Sequence, residues 1–95
     1  MLYAFICTDK PDSLALRQTN RPEHLAYLEG LGSRLKAAGP FLDEAGDPNG
    51  SLVVIEAETR AEAEAAAAGD PYAKAGVFAH VEVRPWKWTL RNPEG

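Results

Sequence analysis

Residues 51–69 read Ser51-Leu52-Val53-Val54-Ile55-Glu56-Ala57-Glu58-Thr59-Arg60-Ala61-Glu62-Ala63-Glu64-Ala65-Ala66-Ala67-Ala68-Gly69. The first seven residues form a β-branched apolar run, which predicts a strand over Ser51–Ala57. Thr59 and Glu62 have the spacing of a capping box, in which the threonine oxygen takes the amide of residue 62 and the glutamate reaches back. The alanine-rich run to Ala68 continues that helix, since alanine is the best helix former, and Gly69 ends it. A strand that feeds a helix at once is half of a split βαβ unit.

On the N-terminal side, Asp43 to Gly50 holds Gly46, Asp47, Pro48, Asn49 and Gly50, a turn cluster. Phe41-Leu42 before it belongs to a short strand starting near Ala38. Gly39-Pro40 stops a helix that starts at Pro22, with Asn20 or Arg21 as cap, since proline suits the first helical position. Leu25, Leu28, Leu31 and Leu35 give this helix an apolar stripe. Ser13–Arg17 is a short helical turn. Leu2–Thr8 is apolar and bounded by Asp9-Lys10-Pro11-Asp12, which predicts the first strand.

On the C-terminal side, Asp70 caps a short helix opened by Pro71 and ended by Gly76. Val77–Arg84 alternates, with Val77, Ala79, Val81 and Val83 on one face and Phe78, His80, Glu82 and Arg84 on the other. Trp86–Leu90 forms a last edge strand after Pro85. The order β-α-β-β-α-β predicts an α+β, ferredoxin-like fold: a four-stranded antiparallel sheet with helices on one face. The 95 residues allow a single domain, placed at residues 1–90 with a tail at 91–95.

Two helices cover one face of such a sheet. In the first strand Leu2, Ala4 and Ile6 point one way while Tyr3, Phe5 and Cys7 point the other, and Leu52 and Val54 oppose Val53 and Ile55 in the same manner. Both faces of the inner strands are apolar, so the uncovered face needs a partner, and a second copy of the chain supplies one as a homodimer. The tail and the 41–50 loop look too short and polar to cover it.

With ten basic and fourteen acidic residues, the net charge is −4 and no basic run exists, which disfavours nucleic-acid binding. The first apolar run is only a strand long and lacks a basic flank, so neither a signal peptide nor a membrane span is expected. The single cysteine, Cys7, sits in an apolar run and reads as a small buried hydrophobe in a cytoplasmic, reducing setting. No Cys/His cluster of zinc spacing exists, and the expectation is a chain that needs neither metal nor organic cofactor.

On a wheel of 100° per residue with Leu25 at 0°, Leu28, Leu31 and Leu35 fall near 300°, 240° and 280°, and His24 falls at about 260° within the stripe. An imidazole on the packing face is either a histidine satisfied by a backbone carbonyl or a general acid–base group facing a cleft. Asp70 is a helix cap, and a carboxylate fixed by amides is also a well-oriented partner for an imidazole. Arg17 and Arg21 either hold an anionic substrate or are simply solvated. His80 lies on a strand face beside Glu82 and Arg84, partly exposed or interfacial. No phosphate-cradling glycine loop and no Gly-x-Ser-x-Gly are present.

Read in order, Asp12-Ser13-Leu14 with Arg17, Arg21-Pro22-Glu23-His24-Leu25, Ala38-Gly39-Pro40, Gly50-Ser51, Asp70-Pro71-Tyr72, Ala75-Gly76-Val77 and Arg84-Pro85-Trp86 resemble the YCII-related (YciI-like) family over about residues 1–90. The resemblance implies a subunit that pairs into a dimeric α/β barrel, with a histidine and an aspartate as the active pair in a cleft. These carry onto His24 and Asp70, with Arg17, Ser51, Gly39 and Tyr72 at positions that line the same cleft. One relative is a dehydrochlorinase of a chlorinated hydroxyquinol, and the muconolactone isomerases share the wider fold. The family often has an aromatic residue in the second helix, where this chain has only Ala65–Ala68. The function expected is a cofactor-independent lyase or isomerase acting on a small, cyclic, anionic molecule. Arg17 would be the first residue to hold the anion. The alternatives are a non-catalytic metabolite-binding or accessory module and a purely structural dimerisation domain.

Overall fold

The computed structural model describes residues 1–94. In chain order it contains β1 (Leu2–Asp9), α1 (Leu14–Gly30), a 3₁₀ turn (Gly32–Arg34), β2 (Leu35–Leu42), β3 (Pro48–Glu56), α2 (Arg60–Gly69), α3 (Pro71–Lys74) and β4 (Phe78–Trp86). The strands form one antiparallel sheet in the order β2-β3-β1-β4, the ferredoxin-like arrangement. β1 and β3 take the centre because they are the two strands apolar on both faces. Tyr3, Phe5, Cys7, Val53 and Ile55 turn one way and pack with Leu28 of α1 and with Ala63, Ala66 and Ala67 of α2. The small alanine faces let α2 lie close to the sheet.

The first helix is longer at its start, and shorter at its end, than periodicity predicts. The turn at Ser13–Arg17 and the helix expected from Pro22 are one helix, with Pro22 inside it. An interior proline costs about 3 kcal/mol and leaves the carbonyl four residues earlier without its amide. The cost is offset because a single helix carries Arg17, His24 and Leu28 on one buried face. The helix stops at Gly30, and Gly32 takes a φ of +60° that turns the chain. Leu35 therefore opens β2 instead of extending the stripe. Gly39-Pro40, expected to end the helix, lies within β2, which tolerates proline because it is an edge strand.

β3 starts at Pro48, three residues before the expected Ser51, directly after a turn in which the Asp43 carboxylate accepts the amides of Ala45 and Asp47 at 2.9 and 3.0 Å. Thr59 caps α2 by accepting the Glu62 amide at 3.1 Å; Glu62 points instead to Arg34, at 3.4 Å. β4 runs through Pro85, opposite Tyr3, and ends at Trp86, so the separate edge strand expected over Trp86–Leu90 does not form. A bulge in β4 opposite Thr8–Asp9 breaks the expected alternation and turns Phe78 to the helix side, against the Tyr72 ring.

The outer face of the sheet carries Leu2, Ala4, Ile6, Leu52, Val54, Phe41 and Trp86. Leu52, Phe41 and Trp86 are exposed, whereas Ala4 and Val54 are buried. Contrary to expectation, the tail does reach across: Trp88 lies 5.5 Å from Trp86 on the β4 edge, and Glu94 pairs with Lys36 of β2, on the opposite edge, at 2.8 Å. It leaves the Leu52–Phe41 region open. No helix among the described residues is long and apolar enough to cross a membrane.

Candidate functional site

The junction of α2 and α3 sets the first functional group. Gly69 ends α2, Asp70 takes an extended backbone, and Pro71 opens α3. The Asp70 Oδ1 caps this short helix by accepting the Tyr72 amide at 2.9 Å. The same carboxylate meets His24 of α1: Nδ1 lies 2.8 Å from Oδ1 and 2.9 Å from Oδ2. Both side chains are buried. A carboxylate only accepts, so the neutral imidazole donates through Nδ1–H and keeps its lone pair on Nε2. Nε2 has no partner among the described residues, and no buried polar side-chain atom there lacks one, so Nε2 is open to solvent. The space it opens to is a cleft of about 380 Å³ that His24 lines.

Tyr72 is the second element. Its ring stacks on the His24 imidazole with centroids 3.8 Å apart and planes 9° from parallel, while Phe78 meets it edge-on at 6.0 Å. The Arg17 guanidinium lies 4.6 Å from the Tyr72 centroid. Arg17 and His24 are seven residues apart on α1, about 10.5 Å along the axis, which fits a ring inserted between them. Burial pushes the Tyr72 phenol above its ordinary ionisation range, against the opposing pull of Arg17 and Arg21.

Arg17 itself is tied down. Its Nε donates to Asp9 Oδ2 at 2.9 Å, and its Nη2 donates to Asp9 Oδ1 at 3.1 Å, to the Gly50 carbonyl at 2.8 Å and to Ser51 Oγ at 2.7 Å. Asp9 and the Gly50 carbonyl are partners that sequence reasoning missed. Alternation offered a signal for the first, because Asp9 shares the parity of Tyr3, Phe5 and Cys7 and so falls on the helix side. Gly50 has no room for a side chain, since a Cβ there would stand 2.5 Å from the Cys7 carbonyl.

The structure thus brings His24, Asp70, Tyr72, Arg17 and Ser51 into one connected cluster, and Gly39 lines the same cleft from β2. Arg17, expected to be the first to hold a substrate anion, lines the cleft but is ion-paired with Asp9 at 2.9 Å. Gln18 and Arg21 line the mouth beside it, and Leu14, Leu25, Leu28, Val53 and Pro48 make an apolar wall. His80 lies outside, exposed on the outer face opposite Thr8. Cys7 is buried under the helices, and burial, with the Asp70 charge next in weight, pushes its thiol up to about 12. It is a packing residue and not a nucleophile. Among the described residues no group of three or more His, Cys, Asp and Glu is placed to hold a metal ion.

The chain is similar to known proteins along nearly its whole length. Protein YciI of Escherichia coli O6:H1 is 44% identical over 95 residues, covering 92% of this chain and 97% of that protein. An uncharacterized protein of Haemophilus influenzae is 38% identical over the same shares. Among solved structures, the 5-chloro-2-hydroxyhydroquinone dehydrochlorinase TftG of Burkholderia phenoliruptrix AC1100, in complex with 2,5-dihydroxybenzoquinone, superposes with a TM-score of 0.86 at 37% identity, covering 97% of this chain and 99% of that one. An antibiotic biosynthesis monooxygenase superposes with a TM-score of 0.57 at 16% identity, covering 94% and 99%, which speaks for the fold alone. The model of the YCII-related domain matches residues 1–87, and the chain belongs to that family.

Proposed function

We propose that the cleft is the active site of a small-molecule lyase or isomerase that works by proton transfer through His24. The observation that carries this reading is the His24 Nδ1 contact to both Asp70 oxygens, at 2.8 and 2.9 Å, with Nε2 left open to the cleft. Asp70 selects the tautomer that makes Nε2 a base, and it holds the charge of the imidazolium formed after proton uptake. Tyr72 fixes the ring plane by stacking. In an elimination, Nε2 takes a proton from carbon, the C–H electron pair becomes a C=C bond, and the leaving group departs with its own pair. The imidazolium then gives its proton to water. In an isomerisation, the same proton returns to a different carbon. The dehydrochlorinase activity belongs to TftG, on which this chain superposes with a TM-score of 0.86 at 37% identity. It supports elimination on an oxygenated ring as the first reaction to try.

The test is turnover of chlorinated and hydroxylated rings and of lactones by the wild type and by His24→Ala. Loss of all turnover in a folded His24→Ala protein supports the proposal. A wild type that binds these molecules and turns none over makes the chain a metabolite-binding module. We also propose that two copies pair through the open region of the outer sheet face, where Leu52 and Phe41 are exposed.

A further inference from the structure

Three cationic or potentially cationic side chains line the cleft, and one of them lacks a counter-charge. Arg17 is paired with Asp9 at 2.9 Å, and His24 with Asp70 at 2.8 Å. Arg21 lies on the same face of α1, four residues after Arg17 and three before His24. It is exposed and lines the cleft, and it makes no ion pair or side-chain hydrogen bond among the described residues. Its field reaches the cleft, where it draws the Tyr72 phenol downward against the effect of burial. The chain as a whole carries −4, so an uncompensated guanidinium at the cleft mouth is a local exception to the charge of the surface.

We propose that Arg21 anchors the ligand of this cleft, and that the ligand is a compact organic anion, a carboxylate or an enolate. This inference rests on His24 as the proton carrier. Residues three apart on a helix have Cβ atoms about 5–6 Å apart. Arg21 and His24 therefore start from neighbouring positions on α1, and both line the cleft, so one small molecule can meet both. Leu14, Leu25 and Val53 receive the apolar body of the molecule. A guanidinium suits the charged end because it presents two parallel N–H donors to a carboxylate or to paired enolate oxygens. Arg17 is less free for this role, since Asp9 neutralises it and its Nε and Nη2 already donate to Asp9, Gly50 and Ser51, which leaves only Nη1 for a ligand.

The experiment is calorimetric titration of the full chain with 2,5-dihydroxybenzoquinone and with benzoate, against the neutral hydroquinone and benzyl alcohol, at low and high salt. The proteins are the wild type, Arg21→Gln, Arg21→Lys and His24→Ala. The wild type is expected to prefer the anions, and Arg21→Gln to lose at least tenfold in affinity together with the salt dependence. Arg21→Lys keeps affinity within a few-fold, and His24→Ala still binds anions. Equal affinity in wild type and Arg21→Gln overturns the proposal, as does equal binding of neutral and anionic probes or the absence of saturable anion binding. The two readings fail separately. Turnover that survives in His24→Ala ends the proton-carrier reading whatever Arg21 does, and unchanged anion binding by Arg21→Gln ends the anchor alone.

Discussion

The Tyr72 ring lies 3.8 Å from the His24 imidazole and within 9° of parallel to it, while the Tyr72 amide donates to the same Asp70 oxygen that His24 meets. One residue therefore fixes both the plane of the histidine and the orientation of its carboxylate. Tyr72→Phe keeps the stack and the amide, so stability falls by no more than about 1.5 kcal/mol and the His24 ring signals stay native-like. Tyr72→Ala opens a cavity against His24, Arg17 and Phe78 and costs about 3–5 kcal/mol, with loss of turnover. Urea denaturation and imidazole NMR read the two variants apart. Equal damage from Phe and Ala would show that the hydroxyl, and not the stack, matters.

Asp70→Asn separates the cap from the charge. Asparagine caps a helix as well as aspartate does, so α3 and the fold are retained. The carboxamide can donate as well as accept, and it no longer enforces Nδ1–H on His24. The expected result is a mixed tautomer by ring ¹⁵N NMR and a fall in turnover with little change in binding. Asp70→Ala also strands the Tyr72 amide and adds a cap loss of about 1 kcal/mol or more. A wild-type tautomer in Asp70→Asn would mean that something other than the carboxylate orients His24.

Arg17 and Asp9 form a buried pair held by two hydrogen bonds at 2.9 and 3.1 Å. Removing one partner leaves the other charge buried, which costs about 3–5 kcal/mol. Arg17→Met alone is expected to destabilise by that amount, and Asp9→Leu combined with Arg17→Met to recover much of it. Thermal or urea melts of the two single variants and the double variant give the coupling. Additive losses would show that the pair is not the source of the cost.

The same pair explains how much of the site the sequence disclosed. The split βαβ order, the Thr59 and Asp70 caps and the place of His24 on the packing face follow from local rules, and the structure agrees. The first half of α1 was hidden because a stripe search looks for apolar residues, and here the buried position is filled by Arg17. An arginine is buried only when its partner is in place, and Asp9 arrives from another element. Pro22 strengthened the error, since a proline at the first helical position and one inside a longer helix look alike in sequence. The β4 bulge that turns Phe78 inward likewise depends on its pairing with β1, which no alternation rule contains.

The proposed pairing of two copies puts Leu52 at the centre of the contact. It faces Ile6 and Gly39 across the outer face and is exposed in the single chain. Light scattering at micromolar concentration is expected to give twice the 10.3 kDa chain mass. Leu52→Lys, which puts a charge on the face without touching the helix side, should shift the protein toward monomer. A wild type that stays monomeric sinks the proposal.

Cys7 gives the alkaline limb of stability its sign. Burial raises the thiol from 9.0 to about 12 in the folded chain. In the unfolded chain it ionises near its ordinary value, so between about pH 9 and 12 the folded state binds more protons than the unfolded one. Stability from this group is complete below pH 9 and is lost as pH rises through 12, on the order of a few kcal/mol in all. Tyr27 and Tyr72 are also raised by burial and act with the same sign at higher pH. Cys7→Ala is expected to flatten the fall between pH 9 and 10, where the tyrosines contribute least, and to leave the steeper loss above it. At pH 8 the native thiol should react with iodoacetamide roughly a thousandfold more slowly than a free cysteine. Rapid labelling of the folded protein would place Cys7 in contact with solvent and overturn its reading as a buried packing residue.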